Sequence, residues 1–172
     1  MAIYREIGDQ GEVAACLNNL GEGARRQGKY AEAVRYYEAS LAIRKELGLS
    51  TAFILNNLGH AYIGLDEDDI AWGYLRKALK EYLDIERVHW ALESLVGVAW
   101  LWTKTEQQVR AAELLGLVLS HPALIEETKQ YAEPVLAVVR ETLPAHKLET
   151  ALERGQTLDL EQVVAGILSK YR

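Results

Sequence analysis

The sequence predicts an all-α protein, a solenoid of antiparallel helix pairs closed by a divergent C-terminal helical cap. Three observations carry that prediction. Nearly the same phrase occurs twice, "LNNLGEG" from Leu17 and "LNNLGHA" from Leu55, and six positions keep step between the copies. Leu17, Leu20, Gly21, Ala33, Tyr37 and Leu41 match Leu55, Leu58, Gly59, Ala71, Leu75 and Leu79, each 38 residues on. Within each copy, apolar or small residues recur at spacings of three and four over segments too long for strands. The three prolines (Pro122, Pro134, Pro144) all fall in the last third, so the first 121 residues hold no strong helix breaker.

Taken in order, residues 2–8 ("AIYREIG") align with residues 42–48 ("AIRKELG"), the end of a second helix. They are expected to be the last turns of a preceding hairpin, and the chain a piece of a longer one. The first full unit, about 14–48, has two helices separated by "GKY", with Gly28 at the C-cap. In the second, about 52–86, "GLDEDD" makes the break, and Asp68 or Asp69 can accept hydrogen bonds from the amides of the next helix. The third, about 92–120, matches less cleanly: Leu95, Val98, Ala99, Ala111, Leu115 and Leu119 fall 40 residues further on, with "TKTEQQ" as the turn. Constant spacing inside units with slack between them is what stacked helical hairpins produce. Small residues at Gly21, Gly59 and Ala99, and at Ala33, Ala71 and Ala111, mark where two helices approach closely.

The repeats therefore occupy residues 1–121 and a helical cap residues 122–172. The cap reads as three helices. Pro122 is expected near the start of the first and Pro144 between the first and second. Asp159 with Gln162 forms a capping box for the last. Pro134, inside an otherwise helical 124–142, demands a bend or a break.

Bulk properties narrow the function. A net charge of −6 disfavours a surface built to neutralise nucleic-acid phosphates or anionic lipid. The single cysteine, Cys16, precludes an internal disulfide and suits a reducing cytosol. With no membrane-spanning run and no signal peptide at the start, a cytoplasmic location is expected.

Chemistry is mostly absent. His60, His89, His121 and His146 fall in separate elements without zinc-site spacing. Cys16 has no histidine near it in sequence and reads as a packed, inert thiol beside a core leucine. There is no Gly-x-Ser-x-Gly elbow and no phosphate loop. The acidic run Asp66–Asp69 lacks the glycine and distal glutamate of a calcium loop. No catalytic residue, metal or cofactor is expected, and the chain is not read as an enzyme.

The pattern Leu-x-x-Leu-Gly-x-x-(Ala/Tyr) followed by Ala-x-x-x-(Tyr/Leu) resembles the tetratricopeptide repeat. The longer unit and the "NNLG" start are similar to the extended form in kinesin light chains and in bacterial STAND ATPases. The segment "ALERGQTLDLEQVVAGIL" is similar to the end of STAND and LuxR-type regulators, which implies that Arg172 is at or near the natural C-terminus.

The resemblance implies a right-handed superhelix whose first helices line a concave, non-catalytic groove. Its ligand-facing positions fall on Asn18, Asn19, Glu22, Arg25 and Arg26; on Phe53, Asn56, Asn57, His60 and Ile63; and on Glu93, Val96, Trp100, Thr103 and Lys104. Asn19 and Asn57 hold the place that in the family bonds a peptide backbone. Arg25 and Arg26 could meet an acidic group, and Trp100 is an aromatic anchor. The implied partner is a peptide or protein. Alternatives are a small-molecule effector or upstream domains of the same chain. A structural role competes at each position: the paired asparagines can bridge hairpins, the arginines can be a solvated face, and Trp72, Trp90 and Trp102 can be core.

Overall fold

A computed structural model describes residues 2–169, with side chains from residue 9 onward. Arg172 therefore lies outside the described residues. Among these residues there are nine helices and no strand: α1 (Ala2–Arg26), α2 (Tyr30–Glu46), α3 (Ala52–Gly64), α4 (Asp68–Asp84), α5 (Val88–Thr103), α6 (Gln108–Ser120), α7 (Glu126–Thr142), α8 (Ala145–Gln156) and α9 (Leu160–Ser169). The all-helical expectation holds, with helices packing in consecutive pairs. Residues 1–81 and 82–172 form two compact units, so α5 and α6 group with the tail helices.

In the first unit, α1 ends where expected. Gly28 takes φ +73°, its amide bonds the Arg25 carbonyl (2.9 Å) and the Lys29 amide bonds the Ala24 carbonyl (3.0 Å). This pair of bonds satisfies carbonyls that the helix end leaves open. The same closure recurs at Gly48 (φ +65°) and at Asp66 (φ +58°). Glycine adopts this left-handed conformation freely, while Asp66 adopts it against its Cβ. Asp68 and Asp69 lie inside the first turn of α4, not before it, where their charge complements the helix dipole.

A residue that sequence reasoning passed over secures the start of α3. Glu81, on α4, accepts from the Thr51 amide (2.6 Å), the Thr51 hydroxyl (2.8 Å) and the Ser50 hydroxyl (2.9 Å). Burial pushes its carboxyl upward, but these bonds outweigh burial and hold it below the usual carboxylate range.

The repeated small residues do what their spacing implies. A Cβ on Gly21 would lie 2.5 Å from Tyr37 Cε1, and one on Gly59 would lie 2.6 Å from Leu75 Cγ. Both pairs match across the repeat, so each glycine makes room for the large residue on the second helix of its hairpin. Ser40 Oγ adds a buried bond to the Ala14 carbonyl (2.6 Å).

α1 runs unbroken through residues 9–13, where the alignment places a junction between hairpins. Its outer face also departs from expectation. Cys16 is exposed, not packed. Leu20 is 54% exposed, whereas its repeat partner Leu58 is fully buried. The reason is the neighbouring hairpin: α2 lies along α3, with the Tyr30 ring against Gly64 and Arg44 over the Phe53 ring at 4.7 Å. Among the described residues of this unit, no helix plays that part for α1.

In the second unit, α5 is the central element, with Leu92, Leu95 and Val98 fully buried. It packs on α6 and α7, and α6 packs on α8. Gly116 of α6 and Gly155 of α8 allow backbone contact: a Cβ on Gly155 would collide with the Glu113 carbonyl oxygen and lie 2.8 Å from Gly116 Cα. Pro134 does not break α7, which continues through it with the ring exposed. Pro122 lies outside α7, in a turn closed by the Leu124 amide on the His121 carbonyl (2.9 Å). Pro144 separates α7 from α8, and Asp159 caps α9 through the Gln162 amide (2.9 Å). Trp102 is buried as core, but Trp90 is 37% exposed. Trp90 sits on the first turn of α5, where the Arg87 guanidinium lies 5.7 Å from its ring.

Candidate peptide-binding face

In the first unit, α1 and α3 bring the two asparagine pairs together. Asn57 Nδ2 donates to Asn18 Oδ1 at 3.0 Å, bridging the hairpins. Each amide then has its other polar atom left over: the Asn57 oxygen accepts and the Asn18 nitrogen donates. Asn19, on the next position of α1, is exposed, whereas Asn56 is buried at 2% exposure. His60 is half-buried one turn beyond Asn57, and Phe53 is engaged by Arg44 from α2.

One turn along α1, Glu22 gathers three partners. Arg25 forks onto it (2.8 and 3.1 Å), Arg26 reaches it at 2.7 Å, and the Tyr37 hydroxyl donates at 3.2 Å. Burial acts upward on the Glu22 carboxyl, but the bonds and charges of Arg26 and Arg25 prevail and hold it below its usual range. Tyr37 is pushed up, first by burial and then by the Glu22 charge. Arg25 has 13% side-chain exposure and Arg26 73%.

The remaining positions lie in the second unit, on α5. Val96 is core. Thr103 Oγ1 is turned back onto the Trp100 carbonyl (2.6 Å), and Lys104 is exposed past the helix end. Trp100 is half-buried, and its indole Nε1 is buried with no hydrogen-bond partner among the described residues. Such a donor gains when an acceptor reaches it.

Neither Tyr37 nor Arg44 was among the positions expected from the sequence. The Tyr37 match to Leu75 marked it as a packing residue and gave no sign of its hydroxyl's role. Among the described residues, no three potential metal-ligating side chains cluster, and no helix is long and apolar enough to cross a membrane.

Comparison with known families agrees with this architecture. The tetratricopeptide repeat family matches residues 1–46 and 12–84. No curated protein and no solved structure matches the chain. Over residues 1–84 the helical hairpins are similar to the tetratricopeptide repeat, and the consecutive pairing of helices fits a repeat array of that type.

Proposed function

We propose that the α1–α3 face binds an extended peptide segment of a partner protein. Tetratricopeptide repeats generally mediate protein–protein interaction, and the observation that supports a peptide is the Asn18–Asn57 bridge. It sets an unspent amide donor beside an unspent carbonyl acceptor, the two complements of a peptide unit. Asn19, on the next position of α1, is exposed beside that bridge.

We take the parent protein to be a cytoplasmic STAND-type signalling ATPase or transcriptional regulator. In that setting the array acts as a non-catalytic sensor that holds or releases the switch. The resemblance of the "NNLG" units and of the C-terminal segment supports this setting.

The test is capture from cytosol with the wild-type chain beside an Asn19→Ala/Asn57→Ala variant, followed by titration of the captured protein's peptides. Retention by wild type and loss by the variant, with helicity unchanged, is the expected result. Equal capture by both forms sinks the reading.

A second reading, a small effector, is favoured by one cleft in the second unit. It measures about 230 Å³, and its wall includes Glu113, Leu114 and an Arg110 guanidinium 4.2 Å from the Trp102 ring centre. Ordinary ligand pockets start near ~300 Å³, so it suits a ligand of few heavy atoms. A rise in melting temperature with one metabolite would favour that reading.

A further inference from the structure

The cleft of the second unit has a chemistry that its volume alone does not state. Its origin is helix packing. α8 crosses α6 with backbones in contact at Gly116 and Gly155, whereas α9 makes no such close crossing among the described residues and is held by Val164 and Ile167, both buried. The space left is walled by Arg110, Glu113 and Leu114 of α6, by Gln162 and Val163 of α9, and by Leu158 just ahead of α9.

Two opposite charges line this space, and neither is spent on the other. Arg110 and Glu113 lie one turn apart on α6, yet among the described residues no ion pair joins them. The Arg110 guanidinium lies over the Trp102 ring, and its Nη1 donates to Gln107 Oε1. Held by one face and at one nitrogen, it keeps its other N–H groups for a planar acceptor, and a carboxylate meets two of them at once. Glu113 Oε1 stands 3.9 Å from Arg154 Nη1, beyond hydrogen-bond reach, and among the described residues its carboxylate accepts no hydrogen bond. Its lone pairs suit an ammonium group.

Side chains three apart on a helix start about 5–6 Å from each other, so both heads can reach groups borne by a single carbon. An anion alone would meet the Glu113 charge, and a cation alone the Arg110 charge. A zwitterion satisfies both. Leu114, Leu158 and Val163 add an apolar wall beside the pair.

We propose that this cleft binds a free α-amino acid with a branched aliphatic side chain. Its carboxylate meets Arg110, its ammonium meets Glu113, and its side chain lies against Leu114, Leu158 and Val163. The proposal rests on the small-effector reading of the cleft and gives that effector a chemical class. A residue inside a peptide carries neither charge and a terminal residue only one, so the ligand differs in kind from that of the α1–α3 face.

Calorimetric titration of the full chain with L-leucine, L-isoleucine and L-valine, each to about 10 mM, spans the affinity open to so small a ligand. At least one of the three is expected to bind. Its carboxamide, which lacks the anion, and its N-acetyl form, which lacks the cation, should each bind about tenfold or more weakly, as loss of a charged hydrogen-bond partner does. Arg110→Gln should no longer distinguish the carboxamide from the free amino acid, and Glu113→Gln should no longer distinguish the N-acetyl form. Variants that keep their helicity but weaken all three ligands alike overturn the proposal. A carboxamide or N-acetyl form that binds wild type as tightly as the free amino acid also overturns it, while leaving a small effector in place. If none of the three amino acids binds, the proposal fails, and a melting-temperature screen of other metabolites then decides the small-effector reading by itself.

Discussion

Gly155→Ala adds a single methyl group where α8 crosses α6. In the structure that methyl would collide with the Glu113 carbonyl oxygen and stand 2.8 Å from Gly116 Cα. Neither neighbour can swing aside as a side chain would, because both are backbone of α6. The helices must separate, and overpacking of this kind costs about 1–3 kcal/mol. One term opposes it: alanine is the better helix former by about 1 kcal/mol, largely because it restricts the unfolded chain. A backbone collision places the cost at the upper end, so the net expectation is a loss of about 1–2 kcal/mol.

The internal control is Gly73→Ala in the middle of α4, where the new methyl meets nothing within 4 Å. There only the favourable term acts, and a gain of about 0.5–1 kcal/mol is expected. Urea unfolding followed by circular dichroism reads both. For a chain of this length each kcal/mol moves the melting temperature by about 2–4 °C. Opposite signs for the same chemical change are the outcome the geometry requires. If Gly155→Ala is neutral or stabilising, α6 and α8 do not meet through their backbones and the packing of the second unit is misassigned.

Glu86 closes α4 with φ +55°, so Glu86→Gly should raise stability by about 1 kcal/mol, read as a higher urea midpoint. Gly59→Leu forces a side chain into Leu75 and should cost about 1–3 kcal/mol; a melting curve that does not move would mean α3 and α4 are not in this contact. Glu22 and Glu81 both have folded pKa values below their ordinary 4.5. The stability they contribute is complete above that value and is lost as pH falls through the lower folded one. The urea midpoint should therefore drop below about pH 4.5, and Glu81→Gln should flatten that acid limb by about 1 kcal/mol or less, since Glu81 is only part-buried and solvent screens it.

Much of this architecture was legible because it repeats. The Gly21/Tyr37 and Gly59/Leu75 pairs announced themselves by sharing a spacing, and Gly28 announced a helix end by its type. The Gly116–Gly155 contact has no counterpart 38 residues away, so no comparison within the chain could expose it. Pro134 misled in the other direction: a break was one expected outcome, yet on the exposed side of α7 its ring has room and neighbours on α5 and α6 hold the helix through it. The asparagines show the limit most clearly. Their repetition marked them, but whether an amide bridges two hairpins or waits for a ligand depends on a 3.0 Å distance between α1 and α3. Cys16 was read as packed from its place beside Leu17, and the exposure of that face shows only in the structure.

The Glu81 carboxylate has a meaning for how such a chain can be edited. The start of α3 is completed by a residue near the end of α4, about thirty positions later, so neither helix is finished without the other. A cut placed between them leaves one fragment with open amides and the other with a stranded charge, while a cut in the turns on either side keeps that bond and instead uncovers the apolar face that the next hairpin buries. The register in which such a sequence can be copied or moved is thus set by the hairpin, and its stability by the neighbour.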